Sequence, residues 1–269
     1  MERSLIQLSP TTLVISLPAA WIGAHHLQKG SKVQVEENDG SIVVSTQKPK
    51  VRSYSVHIPK SGGRLVWHVL DSLYVAGYDE IHITFDESQL AVQLERGIPY
   101  FPGFMIVSQS SKAMTLKDIT QQAKEDVMIV THRLFSQILT LFEDATIALA
   151  NKDANFFSSI KKRDYLINST VSYCLRQAMK FGNMNHTFFA FLNSLEQYCD
   201  VIVDMCEKEA LKTKPSKLKE ARDFVTNVRT VFEKKTMESY LVLAEIARQS
   251  DTASASSQLA EAVLRYTLK

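Results

Sequence analysis

Cysteine is scarce in this chain of 269 residues. The three present, Cys174, Cys199 and Cys206, are odd in number and form no CxxC pair. That pattern argues against a disulfide scaffold, and a thiolate-metal or redox role is the lesser reading; reduced, buried thiols are expected. Long apolar runs are missing as well. None approaches the roughly 18 residues of a membrane span, and MERSLIQLSP lacks the apolar core of a secretory leader. The expected location is therefore cytoplasmic. Charge of one sign is also lacking. Thirty-one Lys and Arg against 29 Asp and Glu leave +2, too little to argue for nucleic acid by itself. From Ser4 to Gln28 there is no Lys or Arg at all. His57, His68, His82, His132 and His186 stand singly, and no Ser-His-Asp, Cys-His or paired-carboxylate set has a catalytic context, so the chain is not expected to be an enzyme.

What is present falls into three zones. The chain is 45% hydrophobic, enough to fill real cores. Residues 1–50 read as β: an apolar run at Thr12–Leu17, Pro18 with the short amphipathic AAWIGAHHL, then a hairpin from Lys32–Glu36 to Ser41–Ser45 turning at Asp39-Gly40. Gly30 closes the short helix before that hairpin. Residues 51–120 read as a small α+β unit: strand SYSVHI, helix RLVWHVLDSLYVAG ending at Gly77, strand EIHITF, a polar insert, and a hairpin of FMIVSQ with AMTLKD across Ser110-Ser111. Ser61-Gly62-Gly63 lacks the lysine and spacing of a phosphate loop and reads as helix-start chemistry. Residues 121–269 hold one glycine, Gly182, and read as helices near 126–152, 153–181, 186–212, 216–249 and 256–267. Helices this long and closely joined predict an antiparallel bundle, with SDTASASS as a flexible connector.

The stretch SLEQYCDVIVDMCE carries the sharpest local signal. At 100° per residue, Asp200, Asp204 and Glu207 lie about 40°, 80° and 20° around the helix from Glu196, so four carboxylates share one stripe. Leu195, Tyr198, Cys199, Ile202 and Cys206 take most of the opposite, core-facing side. Like charges at i, i+4 cost a few tenths of a kcal/mol per pair, roughly. The stripe therefore calls for a countercharge: a hard cation, a basic group of a partner, or Lys161, Lys162 and Arg163 of this chain. Asp164 and Asn168 are again i, i+4, and if their helix packs beside this one the two stripes become neighbours. The bland alternative is a solvated acidic face, the commoner cause of acids on a helix. Phe188, Phe189 and Phe191 read as bundle core. Lys212–Arg222 reads as an ordinary basic connection, with an acidic partner surface or membrane edge as the lesser reading.

Two resemblances add to this. In the first zone Ser16, Leu17, Pro18, Trp21, Leu27, Gly30, Val33, Val35, Asp39, Gly40 and Val43 resemble the AbrB/SpoVT family of swapped-hairpin β-barrels. That implies an obligate dimer, with Leu13, Ile15, Leu17, Trp21, Val33, Val35 and Val43 at the interface. Physics agrees, because four short strands in so few residues bury little alone. The family commonly binds DNA. Here the basic candidates are Arg3, Lys29 and Lys32, and phosphate neutralisation has little to draw on, so the barrel is expected to act as a dimer clamp.

The helical zone resembles the PhoU family of phosphate-uptake regulators. Arg163 and Asp164 match its first motif, with Asn168 where Asp is usual. Leu195, Glu196, Asp200 and Glu207 match its second, with Asp204 where Asn is common, Gln197 for Arg and Val201 for His. GFMIVSQSSKAMTLKDI and the order of zones resemble archaeal regulators that join the two families. The fold class so implied is multi-domain α+β: an AbrB-like dimerisation domain over 1–50, a small α+β domain over 51–120 and a PhoU-like bundle over 121–269, whose second three-helix repeat is truncated or remodelled after about residue 212. The resemblance implies a metal set of Asp164, Asn168, Glu196, Asp200, Asp204 and Glu207 for iron, manganese or magnesium. It also implies partners in phosphate uptake: a transporter ATPase, a sensor kinase or a transcription regulator. The rival is an AbrB-type DNA-binding transcription regulator with the bundle as its sensor. A metal-dependent hydrolase is the third and weaker reading.

Overall fold

The computed structural model describes residues 2–38, 41–46, 51–60, 65–120, 125–181, 186–208, 214–250 and 253–267, apart from the side chains of residues 36, 38, 41, 154, 157, 158, 161, 207, 208 and 253. Contacts divide the chain into two units, Met1–Val51 and Arg52–Lys269.

The first unit is two separate hairpins and one turn-and-a-half of helix. β1 (Ile6–Ser9) pairs antiparallel with β2 (Thr12–Val14). β3 (Gln34–Asn38) pairs antiparallel with β4 (Ser41–Ser45). Between them α1 (Ala19–Ala24) starts directly after Pro18, whose extended backbone serves as its N-cap. The helix ends at Ala24, with His25 as its C-cap and His26 left-handed at φ 51, and not at Gly30 as expected; Gly30, with φ +88, turns the chain farther on, a conformation that suits a residue without Cβ. The β1 strand was not legible in the sequence, and the Asp39-Gly40 turn lies outside the described residues.

The second unit opens with a four-stranded sheet. β5 (Ser53–Ile58) and β6 (Glu80–Phe85) are parallel and joined through α2 (Leu65–Val75). β8 (Ala113–Asp118) lies antiparallel to β6 and forms a hairpin with β7 (Phe104–Gln109), giving the order β5-β6-β8-β7. The SGG segment before α2 lies outside the described residues. Residues 89–97, read from the sequence as part of a polar insert, form α3 (Gln89–Gly97), followed by a 3-10 turn at Ile98–Tyr100. Its polar residues hide a short apolar stripe: Leu90, Ala91 and Leu94 are buried with Leu70 and Tyr74 of α2 against Ile81, Ile83 and Leu116 of the sheet.

Six helices follow. They are α4 (Val127–Asn151), α5 (Ala154–Phe181), α6 (His186–Lys208), α7 (Pro215–Lys234), α8 (Met237–Gln249) and α9 (Ala253–Thr267). α4 packs on α5 and α7, α5 on α6, and α9 on α6, α7 and α8. Their core is aromatic at its centre, where Phe191, Phe232 and Tyr266 stack with centroids 5.4 to 5.9 Å apart. Phe188 and Phe191 are fully buried, and Phe189 is partly buried against the same core.

Two helical expectations change. The helix read across 216–249 is broken: Lys235 turns left-handed at φ 54, and the Thr236 hydroxyl accepts from the Ser239 N–H to start α8. Such a hydroxyl cap favours a new helix start, and the turn lets Tyr240, Leu243 and Ala247 reach the core. SDTASASS is not a free connector either. α9 begins within it at Ala253, and Ser256 is buried. Packing of Leu259 and Val263 outweighs the weak helix preference of serine.

Candidate functional site

The α5–α6 contact sets the two acidic stripes beside each other. Asp164 is buried and Asn168 half-buried on α5; Glu196 is half-buried and Asp200 and Asp204 are exposed on α6. The carboxyl of Asp164 and the amide of Asn168 both hydrogen-bond the Asp200 carboxylate. A carboxyl–carboxylate hydrogen bond needs a proton between its oxygens. Burial leads in raising the Asp200 carboxyl above its ordinary value, those two hydrogen bonds oppose it, and Asp204 adds to the rise. Glu196 is pushed up to about 7, first by burial and then by the charges of Asp200, Asp71 and Asp164. All three of those charges are acidic.

Asp71 is the acid that sequence reasoning missed. It reaches this site from α2, held by a 2.6 Å hydrogen bond from the Ser172 hydroxyl of α5. Burial raises its carboxyl while that bond lowers it. Its only signal in the sequence was a single acid inside the apolar helix VWHVLDSLYV. Arg163 does not neutralise the stripe. It points to α4, where it pairs with Asp144 at 2.7 Å. The side chains of Lys161 and Glu207 lie outside the described ones.

The oxygen-rich set has the donor chemistry of a hard cation. Its positions do not close around one: among the described residues no three His, Cys, Asp or Glu side chains are grouped to hold a metal ion. Asn168 contributes an amide where the resemblance supplies a carboxylate.

Beside the acids lies a cleft of about 510 Å³. α2 contributes Trp67, His68 and Asp71, the α3 end contributes Arg96, Gly97, Tyr100 and Phe101, α5 contributes Tyr165, Asn168, Ser169 and Ser172, and α6 contributes Glu196. Gly97 is required for its shape, because a Cβ there would stand 1.8 Å from the Trp67 ring.

A second charged cluster pins this assembly from behind. Arg176 of α5, 2% exposed, donates to the Tyr74 carbonyl and to Asp118 at 2.7 Å each. Lys180 donates to Asp79 at 2.7 Å and to Asp118 at 2.9 Å. The Arg176 guanidinium also lies 4.8 Å from the Tyr74 ring centre and 4.9 Å from that of Phe104. Burial would raise the Asp118 carboxyl, but hydrogen bonds from Thr120, Arg176 and Lys180 hold it well below the usual carboxylate range. This network ties the sheet to α5 and so fixes the cleft between α2 and α5.

In the first unit the expected interface residues are open. Leu13, Ile15, Val35 and Val43 are 61%, 54%, 62% and 46% exposed, and Leu17, Trp21 and Val33 are half-buried. Arg3, Lys29 and Lys32 are exposed. All three cysteines are free and buried; burial raises Cys174 to about 12 and Cys206 to about 11, and Cys199 well above the ordinary thiol. Among the described residues no helix is long and apolar enough to cross a membrane.

No characterised protein and no solved structure matches the chain. Residues 9–53 match the family described as antidote-toxin recognition MazE, bacterial antitoxin. The N-terminal hairpin unit is thus AbrB/MazE-like.

Proposed function

We propose that this chain is a regulatory protein of PhoU type, working by binding rather than by catalysis. Its N-terminal hairpins would join two copies, and its α5–α6 face would meet a partner in phosphate uptake: a transporter ATPase, a sensor kinase or a transcription regulator. The observation that carries the reading is the meeting of Asp164 and Asn168 with Glu196 and Asp200 across two packed helices. The segments that resemble the PhoU motifs are the ones brought together. An acidic face in which one carboxyl is held up to about 7, first by burial and then by its acidic neighbours, is relieved by any docked positive charge.

The test is a pull-down with the full-length dimer and with an Asp200→Ala, Glu196→Ala variant, read by mass spectrometry. Transport or phosphate-signalling components held by the parent and lost by the variant support the proposal; their retention by the variant overturns it. The metal set that the PhoU resemblance implies is tested separately, by elemental analysis of protein purified without chelator. Stoichiometric iron, manganese or magnesium that Asp200→Ala removes supports it, and equal substoichiometric metal in both proteins rejects it.

The MazE-like match favours one second reading. The family's description speaks of antitoxin and toxin recognition, so the N-terminal unit would bind DNA or a toxin partner, with the bundle as sensor. Arg3, Lys29 and Lys32 are its basic candidates. Tight, strongly salt-dependent binding of random duplex would favour it over the clamp.

A further inference from the structure

The cleft beside the acidic stripe has a chemistry of its own. Its walls are aromatic: Trp67 faces it from α2, and Tyr100 and Tyr165 meet at its rim with ring centres 5.4 Å apart. Its inner polar groups mostly accept hydrogen bonds. They include the carboxylates of Asp71 and Glu196, beside Ser169, the Ser172 hydroxyl that already donates to Asp71, and His68; the Oδ1 of Asn168 is a buried atom with no partner. Asn168 uses its amide nitrogen on Asp200, which leaves that oxygen pointing at nothing that donates. Burying an acceptor without a donor costs about 1–3 kcal/mol, so this oxygen adds to the negative character of the wall behind the cleft. Among the described lining residues Arg96 is the one Lys or Arg, and it comes from α3, across from the Glu196 helix.

Aromatic faces and carboxylates share one preference, for positive charge on an organic body. A bare metal ion would use the oxygens and leave the rings idle. An anion would meet two carboxylates. A neutral apolar molecule would leave the acceptors unfilled. We propose that this cleft binds a small organic ammonium compound, with its N–H groups on Asp71 and Glu196 and its carbon body against Trp67, Tyr100 and Tyr165. The cavity of about 510 Å³ lies in the range of small-molecule sites and has room for an aryl- or alkylamine. The inference does not rest on the PhoU-type reading, since it needs no protein partner and no phosphate.

The experiment uses the whole chain, stripped of metal with chelator and then exchanged into chelator-free buffer, and four probes: phenethylamine, putrescine, 2-phenylethanol and magnesium chloride. Binding is read by Trp67 fluorescence and calorimetry. Trp21 is the only other tryptophan, so Trp21→Phe isolates the signal. The expected result is saturable binding of at least one amine at or below about 1 mM, with a preference of about tenfold or more over 2-phenylethanol. Glu196→Gln and Tyr165→Leu should each lower that affinity by about tenfold, while Glu143→Gln, on the exposed face of α4, should not. Circular dichroism confirms that the variants fold. Equal binding of amine and alcohol, response to magnesium alone, or no saturable amine binding overturns the proposal. None of these outcomes bears on the pull-down result, so the two readings fail separately.

Discussion

The two units of this chain solve the burial problem in opposite ways. The second places whole helix faces and one sheet face in two hydrophobic clusters, with Phe135, Phe191, Leu195 and Val228 fully enclosed in one and Tyr74, Ile81 and Leu116 in the other. Among the described residues of the first unit, no hydrophobic side chain is buried at all. Leu5, Leu8, Leu13, Ile15, Val35 and Ile42 are each more than half exposed. A fold whose apolar residues stay in water has no driving force of its own, because burial is the dominant favourable term. The second unit is complete as one chain. The first leaves its apolar side chains open, and the proposed clamp, in which the MazE-like hairpins of residues 9–53 interleave with a second copy, would cover them.

Breaking that contrast should be easiest in the first unit. Val35→Asp or Leu13→Asp places a charge where the second copy is expected, and each uncompensated buried charge costs several kcal/mol, roughly. The expected outcome is halving of the mass measured by light scattering, with loss of the N-terminal β signal and no change in the helical transition. A mass unchanged in both variants would mean that the hairpins are not the clamp.

In the second unit the largest expected loss is at Arg176. Arg176→Met leaves Asp79 and Asp118 with Lys180 as their one cation, and breaking a buried network of this kind costs about 3–5 kcal/mol. Thermal unfolding should shift down by many degrees. The same network gives a pH signature. Asp118 titrates below its unfolded value, so its stabilisation is present above about pH 4 and fades as pH falls below it. Denaturant midpoints measured from pH 5 to pH 2 should drop more steeply in the parent than in Arg176→Met.

Glu196 should behave with the reverse sign. Its folded value is raised to about 7 from 4.5. Stability therefore declines as pH rises from about 4.5 through 7, on the order of 1–2 kcal/mol once solvent screening is allowed for. Glu196→Gln should flatten that slope and be the more stable protein at pH 8. An unchanged slope would show that the acids are neutralised in solution. The smallest expected effect is at the α7–α8 break. Thr236→Ala removes the N-cap and should cost about 1 kcal/mol, whereas Lys235→Gly relieves a left-handed backbone and should gain a few tenths to about 1 kcal/mol. A helix running through 216–249 would predict the opposite for the glycine variant.

How far the sequence could be read depended on whether a signal was local. The period of SLEQYCDVIVDMCE gave both the stripe and its core face, since 100° per residue is a property of the helix itself. FMIVSQ and AMTLKD were legible as a hairpin because alternation and a Ser-Ser turn lie within a few residues. The α3 helix was missed because its apolar stripe is only three residues wide, and it is helical because the sheet is there to cover. Asp71 was missed because the residue that explains it, Ser172, is 101 positions away.

By itself, then, the sequence determined the β character of the first unit, the long helices and the acids that share a face, since each follows from periodicity, turn chemistry and composition within one segment. Only the tertiary structure decided that α2 would bring a further carboxylate to those acids, that Arg163 would turn away from them to Asp144, and that aromatic rings from three elements would wall a cleft beside them. Those outcomes depend on which faces meet, and that is set by the packing of elements far apart in the chain, which no local pattern encodes.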